Sequence, residues 1–152
     1  MNVVFISPHF PEYYHNFCSR LKDRGVNVLG VGDCPYDMIS DETKNSLTEY
    51  YYVGSLENYD EVYRACAYFS SHYGKIDWIE SENEYWLELE ATLRRDFNVT
   101  TGPQIQDMRW MKYKSAMKEV YKSAGLKVAD YIKLDTLDEA LEFTKKNGYP
   151  VI

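Results

Sequence analysis

The sequence is poor in cysteine, and the three it has (Cys18, Cys34, Cys66) are widely spaced. No C-x-x-C pair occurs, which argues against a zinc ribbon and a disulfide framework. Reduced, partly buried thiols are expected instead. Histidine is equally scarce. His9, His15 and His72 do not stand at metal-ligand spacing with the cysteines, so no metal site is expected. Long apolar runs are missing too, because charges interrupt every stretch before it reaches the length of a membrane span. The opening MNVVFIS has neither a basic n-region nor a small-residue cleavage site, so a secretory signal is not indicated and a cytoplasmic protein is expected. No internal repeat or low-complexity linker interrupts the chain.

What is present is an ordinary globular composition, 45% hydrophobic over 152 residues, enough for one sizeable core and too little for two large ones. The net charge of −7 is unevenly spread: residues 1–100 carry −9 and residues 101–152 carry +2. The acidic part repels nucleic acid and anionic membrane, so neither is an expected partner. Arg109, Lys112, Lys114, Lys118, Lys122 and Lys127 face only Glu119 along their stretch. Such a basic run suits a phosphate-bearing small molecule, or else a solvated helix face.

Val3-Val4-Phe5-Ile6 is a continuous apolar run, as expected of a strand buried on both faces. A helix then runs to Gly25, with Tyr14, Phe17, Cys18 and Leu21 at helical spacing. Further strands are expected at Val26–Val31, Tyr50–Val53, Ile76–Ile79 and Asn98–Thr100. Helices are expected near Ser40–Leu47, at Asn58–Tyr73 (Tyr59, Val62, Tyr63, Cys66 and Phe69 inward) and at Asn83–Asp96 (Trp86, Leu89, Leu93 and Phe97 inward). This alternation implies a Rossmann-like, doubly wound parallel sheet of the α/β class, with Val3–Ile6 central. In such sheets ligands bind outside the carboxyl ends of the strands, which selects the loops Ser7–Glu12, Gly32–Pro35, Gly54–Glu57 and Glu80–Glu84.

The pattern changes after Gly102-Pro103. A helical stretch runs to Ala124, with a break expected near Arg109–Met111 and a stop at Gly125. Lys127–Leu134 alternates like a strand. Thr136 and Glu139 have capping-box spacing at the start of a helix that ends at Gly148. Tyr149-Pro150-Val151-Ile152 reads as the beginning of another strand, so the natural polypeptide is expected to continue.

Five pieces of this stretch, in order, carry a resemblance: Gly102-Pro103, Lys114-Ser115-Ala116-Met117-Lys118, Ala124-Gly125-Leu126-Lys127-Val128, Thr136-Leu137-Asp138-Glu139-Ala140 and Gly148-Tyr149-Pro150-Val151-Ile152. They resemble the entry into the ATP-binding domain of ATP-grasp ligases of the carbamoyl-phosphate synthase large subunit and biotin carboxylase kind. Glu82–Ala91 is similar to a helix opening in the domain that precedes it in that family. The resemblance implies a pre-ATP-grasp domain over residues 1–103 and the truncated start of an α+β ATP-grasp subdomain over 104–152. It implies ATP and magnesium as cofactors and a small carboxylate substrate. Lys114 is the residue it places on the nucleotide phosphates. The second nucleotide lysine, the glycine-rich flap and the magnesium ligands fall beyond residue 152, so the piece by itself is expected to be inactive.

The chemistry explains the lysines. Transfer of the γ-phosphoryl group of ATP to a carboxylate crowds negative charge along the phosphate chain, and positioned ammonium groups offset it. Lys114 and Lys118 share one helical face, one turn apart, so Lys118 is a second candidate; two solvated surface lysines are the plainer alternative. The acidic cluster from Asp77 to Glu90 supplies Glu80 and Glu84 as substrate-site candidates at a strand end. Against that, Ser81 and Glu84 have capping-box spacing, and Glu88 and Glu90 read as an exposed helix face. A dinucleotide-dependent oxidoreductase is disfavoured, because the first turn, Ser7 to Glu12, has two prolines and no glycine with which to approach a pyrophosphate. A non-enzymatic Rossmann-like or receiver-like binding module is the alternative from another class, with the 15 tyrosines and three tryptophans serving either an interface or the core and its rim. The apolar edge expected at 127–152 implies that this segment is either mobile or held by a second copy in a homodimer.

Overall fold

Four apolar or aromatic segments form strands: β1 (Asn2–Ile6), β2 (Asn27–Gly32), β3 (Glu49–Tyr52) and β4 (Trp78–Glu80). The computed structural model describes residues 1–151. The strands pair in the order β3-β2-β1-β4, all parallel, with Val4 opposite both Leu29 and Ile79. The expected doubly wound sheet is therefore present, and β1 lies inside it. All five residues of β1 are buried, which explains their unbroken apolar character.

Alternate residues of β1 feed two cores. Val4 and Ile6 join Leu29, Val31 and Ile79 under α3 (Tyr59–Tyr73) and α4 (Leu87–Asp96), which contribute Val62, Cys66, Phe69 and Leu93. Phe5 on the other face joins Val28, Tyr14, Cys18 and Leu47, beside α1 (His15–Lys22) and the short α2 (Asp41–Ser46). Some residues expected inward are not. Phe17 and Tyr63 are exposed, and the buried row of α3 is Val62, Ala65, Cys66 and Phe69. All three cysteines are free thiols; Cys18 and Cys66 are buried, and Cys34 is half-buried.

The expected fifth strand at 98–100 does not form. Val99 does enter the core, but its N–H donates to Arg94 O, and Gln104 Nε2 donates to the carbonyls of Val99, Thr101 and Gly102. Backbone groups that a ladder needs are taken by a neighbouring helix end and one amide side chain.

Contacts divide the chain into two units, Met1–Met108 and Arg109–Ile152, with α5 (Met108–Lys112) at the boundary. In the second unit α6 (Lys114–Ser123) follows a break at Tyr113, just past the expected position, and ends at Gly125 with φ +75°. The capping box of α7 (Leu137–Asn147) forms as the spacing predicts: Thr136 Oγ1 accepts from Glu139 N, and Glu139 accepts from Thr136 N. Residues 127–134 form no strand. None of their N–H groups donates to another backbone group among the described residues, and alternation alone cannot make a strand without a ladder partner. The segment at Tyr149–Val151 is likewise not a strand, and Ile152 lies outside the described residues.

Candidate functional site

The chain reverses its direction of progress across the sheet between β1 and β4, the point at which parallel α/β sheets open a crevice. All four strands run the same way, so the loops after them meet at one edge. There they enclose a cavity of about 400 Å³ lined by Ser7, His9, Phe10, Asp33, Leu56, Asn83, Tyr85 and Trp86. Each of the four loops selected from the sequence contributes to it. Another cavity, about 490 Å³, lies against the sheet face beside α1, with Val3, Phe5, Phe17 and Trp78 in its wall. Its wall is mostly apolar and reaches the carboxyl edge only at Glu80 and Glu82, whereas the edge crevice gathers loops from all four strands, so we take the edge crevice as the candidate site.

Local chemistry fixes the crevice walls. Ser7 directly follows β1 with φ 56°, its N–H donating to Val31 O at 2.8 Å and its hydroxyl to Phe10 O at 3.1 Å. Glu82, in the loop after β4, has φ 56° as well, and its carbonyl accepts from the Tyr14 hydroxyl at 2.6 Å. Two non-glycine residues in the left-handed region at one edge are a cost that the surrounding bonds must offset. His9 Nε2 lies 3.4 Å from Asp33 Oδ1, and Asp33 Oδ2 accepts from Leu56 N at 3.4 Å. His9 Nδ1 is buried without a partner. A Cβ at Gly32 would lie 2.8 Å from that nitrogen, so the glycine makes room for the imidazole. Burial pushes the His9 pKa below its ordinary value, against the upward pull of Asp33. Tyr85 donates its hydroxyl to Glu57 Oε1 at 2.6 Å, and Asn83 Oδ1 caps the turn by accepting from Tyr85 N at 3.0 Å.

Beneath the β4 loop is a buried ionic cluster. The Glu90 side chain is 0% exposed and that of Arg94 1%, and they pair at 2.9 Å. This corrects the expectation that Glu90 is on an exposed face: α4 turns Glu90, Ala91, Leu93 and Arg94 inward. Arg94 also donates to Ile79 O and, at 2.8 Å, to Pro103 O, and it approaches Glu80 at 3.7 Å. The Ser81 hydroxyl donates to Glu90, which corrects the expected Ser81–Glu84 capping box. A buried carboxylate outcompetes a helix end for that hydroxyl, and Asn83 takes over as cap. Burial pushes the Glu90 carboxyl up to about 7; Glu80 adds repulsion, while bonds from Ser81 and Arg94 pull it down.

The four residues singled out from sequence are dispersed. Glu80 accepts from the N–H groups of Ser81 and Glu82 through Oε1 and from Trp78 Nε1 through Oε2, so its carboxylate is occupied in shaping its own loop. Glu84 is exposed on the adjacent turn. In the second unit, Lys114 is exposed at the start of α6. Lys118 is half-buried, with Nζ 4.7 Å from the centre of the Tyr131 ring, and Lys122 approaches the same ring at 4.6 Å. The sequence indicates the crevice loops but not the roles of His9, Asp33 and Asn83 within them, nor of Tyr85 just after the last. Their signal is position alone, within five residues of a strand end. Among the described residues no helix is long and apolar enough to cross a membrane, and no group of three or more His, Cys, Asp or Glu could hold a metal ion.

No protein-family model matches the sequence, and no curated protein matches it. Solved structures do share the fold. A biotin carboxylase domain of a single-chain bacterial carboxylase superposes over 97% of this chain at TM-score 0.68 and 15% identity. The biotin carboxylase domain dimer of Hydrogenobacter thermophilus 2-oxoglutarate carboxylase, in complex with MgADP, ADP and bicarbonate, superposes over 97% at TM-score 0.63 and 21% identity. An L-amino acid ligase from Bacillus licheniformis superposes over 95% at TM-score 0.59 and 14% identity. The chain spans 35%, 33% and 41% of the lengths of these three proteins.

Proposed function

We propose that the chain is the amino-terminal part of an ATP-grasp ligase whose parent joins a small carboxylate to an amine or similar nucleophile through an acyl phosphate. The observation that carries this reading is the superposition of 95–97% of the chain on an L-amino acid ligase and on biotin carboxylase domains. Those are ATP-grasp enzymes, and the ordered pieces from Gly102 to Ile152 resemble the same superfamily independently. Residues 1–103 serve as the pre-ATP-grasp domain and residues 104–152 open the ATP-binding domain. A receiver-like module, the reading from another class, has no observation that favours it.

Lys114, exposed at the first turn of α6, has the charge and freedom to hold ATP phosphates. Lys118 supports it less directly, since its ammonium lies over Tyr131. Glu84 remains open to a substrate, whereas Glu80 shapes the loop beneath it. ATP and magnesium are the cofactors this reading gives the parent, in keeping with the MgADP named with the H. thermophilus domain. The H. thermophilus domain is a dimer, and self-association of the parent is part of the proposal.

The parent protein, given ATP, magnesium, an amine and a carboxylate labelled with oxygen-18, is expected to form ADP and, as the amine displaces phosphate from the acyl phosphate, to transfer label from the carboxylate to inorganic phosphate. Formation of AMP and pyrophosphate, or phosphate without label, would overturn the acyl-phosphate route. The 152-residue chain alone is expected to turn over no ATP.

A further inference from the structure

The walls of the edge crevice are suited to one sign of charge. Among the residues that line it, Asp33 carries a carboxylate and none is a lysine or arginine. Among the described residues the Asp33 oxygens have two long contacts, 3.4 Å to His9 Nε2 and 3.4 Å to Leu56 N, and the side chain is 38% exposed. Both leave acceptor capacity open toward the cavity. His9 is the one basic side chain among the lining residues, and burial disfavours its protonated form. Tyr85 adds to the negative field, because its hydroxyl holds the Glu57 carboxylate at 2.6 Å. The remaining lining includes Phe10 and Tyr85, residues 66% and 61% exposed, with Trp86 and Leu56. Aromatic faces attract cations, and an anion placed here would meet uncompensated negative charge.

We propose that this crevice binds a small organic cation, an ammonium group on an apolar body, with the ammonium at Asp33 and the body against Phe10, Tyr85 and Trp86. A volume of about 400 Å³ is in the range of small-molecule sites. The assignment stands on the first unit alone; where the ligase reading also holds, such a ligand is one of its substrates.

The test is a titration of the nitrogen-15-labelled 152-residue chain, without nucleotide, with phenethylammonium, phenethyl alcohol and phenylacetate in turn. The readouts are the indole N–H of Trp86, the side-chain amide of Asn83 and the backbone N–H of Leu56. Phenethylammonium is expected to give saturable shifts, with the alcohol about tenfold weaker or worse and no saturable shift from phenylacetate. Asp33→Asn should weaken ammonium binding by about tenfold while the amides of Val4 and Leu29 stay in place. Tyr85→Leu, on an exposed ring, should weaken it by a smaller factor. Phenylacetate binding as tightly as the ammonium, no saturation by the ammonium, or an unchanged affinity in both variants would overturn the proposal. Because nucleotide is absent, failure here leaves the ligase reading standing, and loss of the oxygen-18 transfer leaves the crevice assignment standing.

Discussion

Glu90 and Arg94 are one helical turn apart and have almost no access to water. Taking two charges out of water costs several kcal/mol per ion, and the fork of Arg94 offsets this by satisfying Ile79 O and Pro103 O as well as the carboxylate. The net effect for Glu90 is a carboxyl raised from 4.5 to about 7, with burial the largest cause. The sign of the pH dependence follows. Between those values the folded chain binds more protons at Glu90 than the unfolded chain does, so this contribution is complete below 4.5 and lost as the pH rises through 7. Its ceiling is roughly 3 kcal/mol. Glu90→Gln, which keeps the shape and cannot ionise, is therefore expected to gain stability relative to the natural chain between pH 5 and pH 8 in urea unfolding. Parallel pH profiles for the two proteins would contradict the account. In the sequence, Glu88 and Glu90 read as an exposed helix face, because charged residues are rarely buried without a partner. Nothing local to Glu90 indicates a guanidinium that pairs with it and reaches across to a strand carbonyl, and this is why that reading misplaces it.

At the scale of elements, legibility follows the source of each element's stability. Strand β1 is buried on both faces, so its burial is written in its own residues, and the Thr136–Glu139 capping box is local chemistry that spacing alone specifies. The four loops of the crevice can be chosen because strand direction places them at one edge. Which side chains turn into it cannot, because His9 reaches its position only through the absence of a Cβ at Gly32 on the neighbouring strand. Elements that depend on a partner are the ones the sequence misplaces. Val99 carries the apolar residue a strand needs, but Gln104 takes its carbonyl. Residues 127–134 alternate correctly and have no strand to pair with among the described residues. Their amides are accordingly expected to exchange with solvent near intrinsic rates in the 152-residue chain, while those of Val3–Ile6 exchange slowest. Hydrogen exchange read by mass spectrometry, together with the mass in solution, checks this. Protection of 127–134 equal to β1 in a monomer would contradict it, and protection that rises with concentration would place a second copy on that edge.

For the whole molecule, the division of charge tracks the proposed division of labour. The acidic first hundred residues hold the crevice proposed for a cation, and the basic run from Arg109 to Lys127 holds the lysines proposed to meet the ATP phosphates. Many tyrosines of the acidic part are tied to that charge: Tyr68 and Tyr73 both donate to Glu49, Tyr59 to Asp96 and Tyr85 to Glu57. This favours a structural use of the aromatic-rich composition over a protein interface. The central claim is that the second unit begins an ATP site in which Lys114 touches the phosphates. It is tested most directly by ATP affinity in the parent protein, measured by calorimetry for the natural sequence and for Lys114→Ala. Loss of one charge-assisted hydrogen bond is worth roughly 1.5–3 kcal/mol, so the account predicts binding weaker by about 10- to 150-fold. An ATP affinity unchanged by the substitution would contradict it and return Lys114 to a solvated lysine on the face of α6.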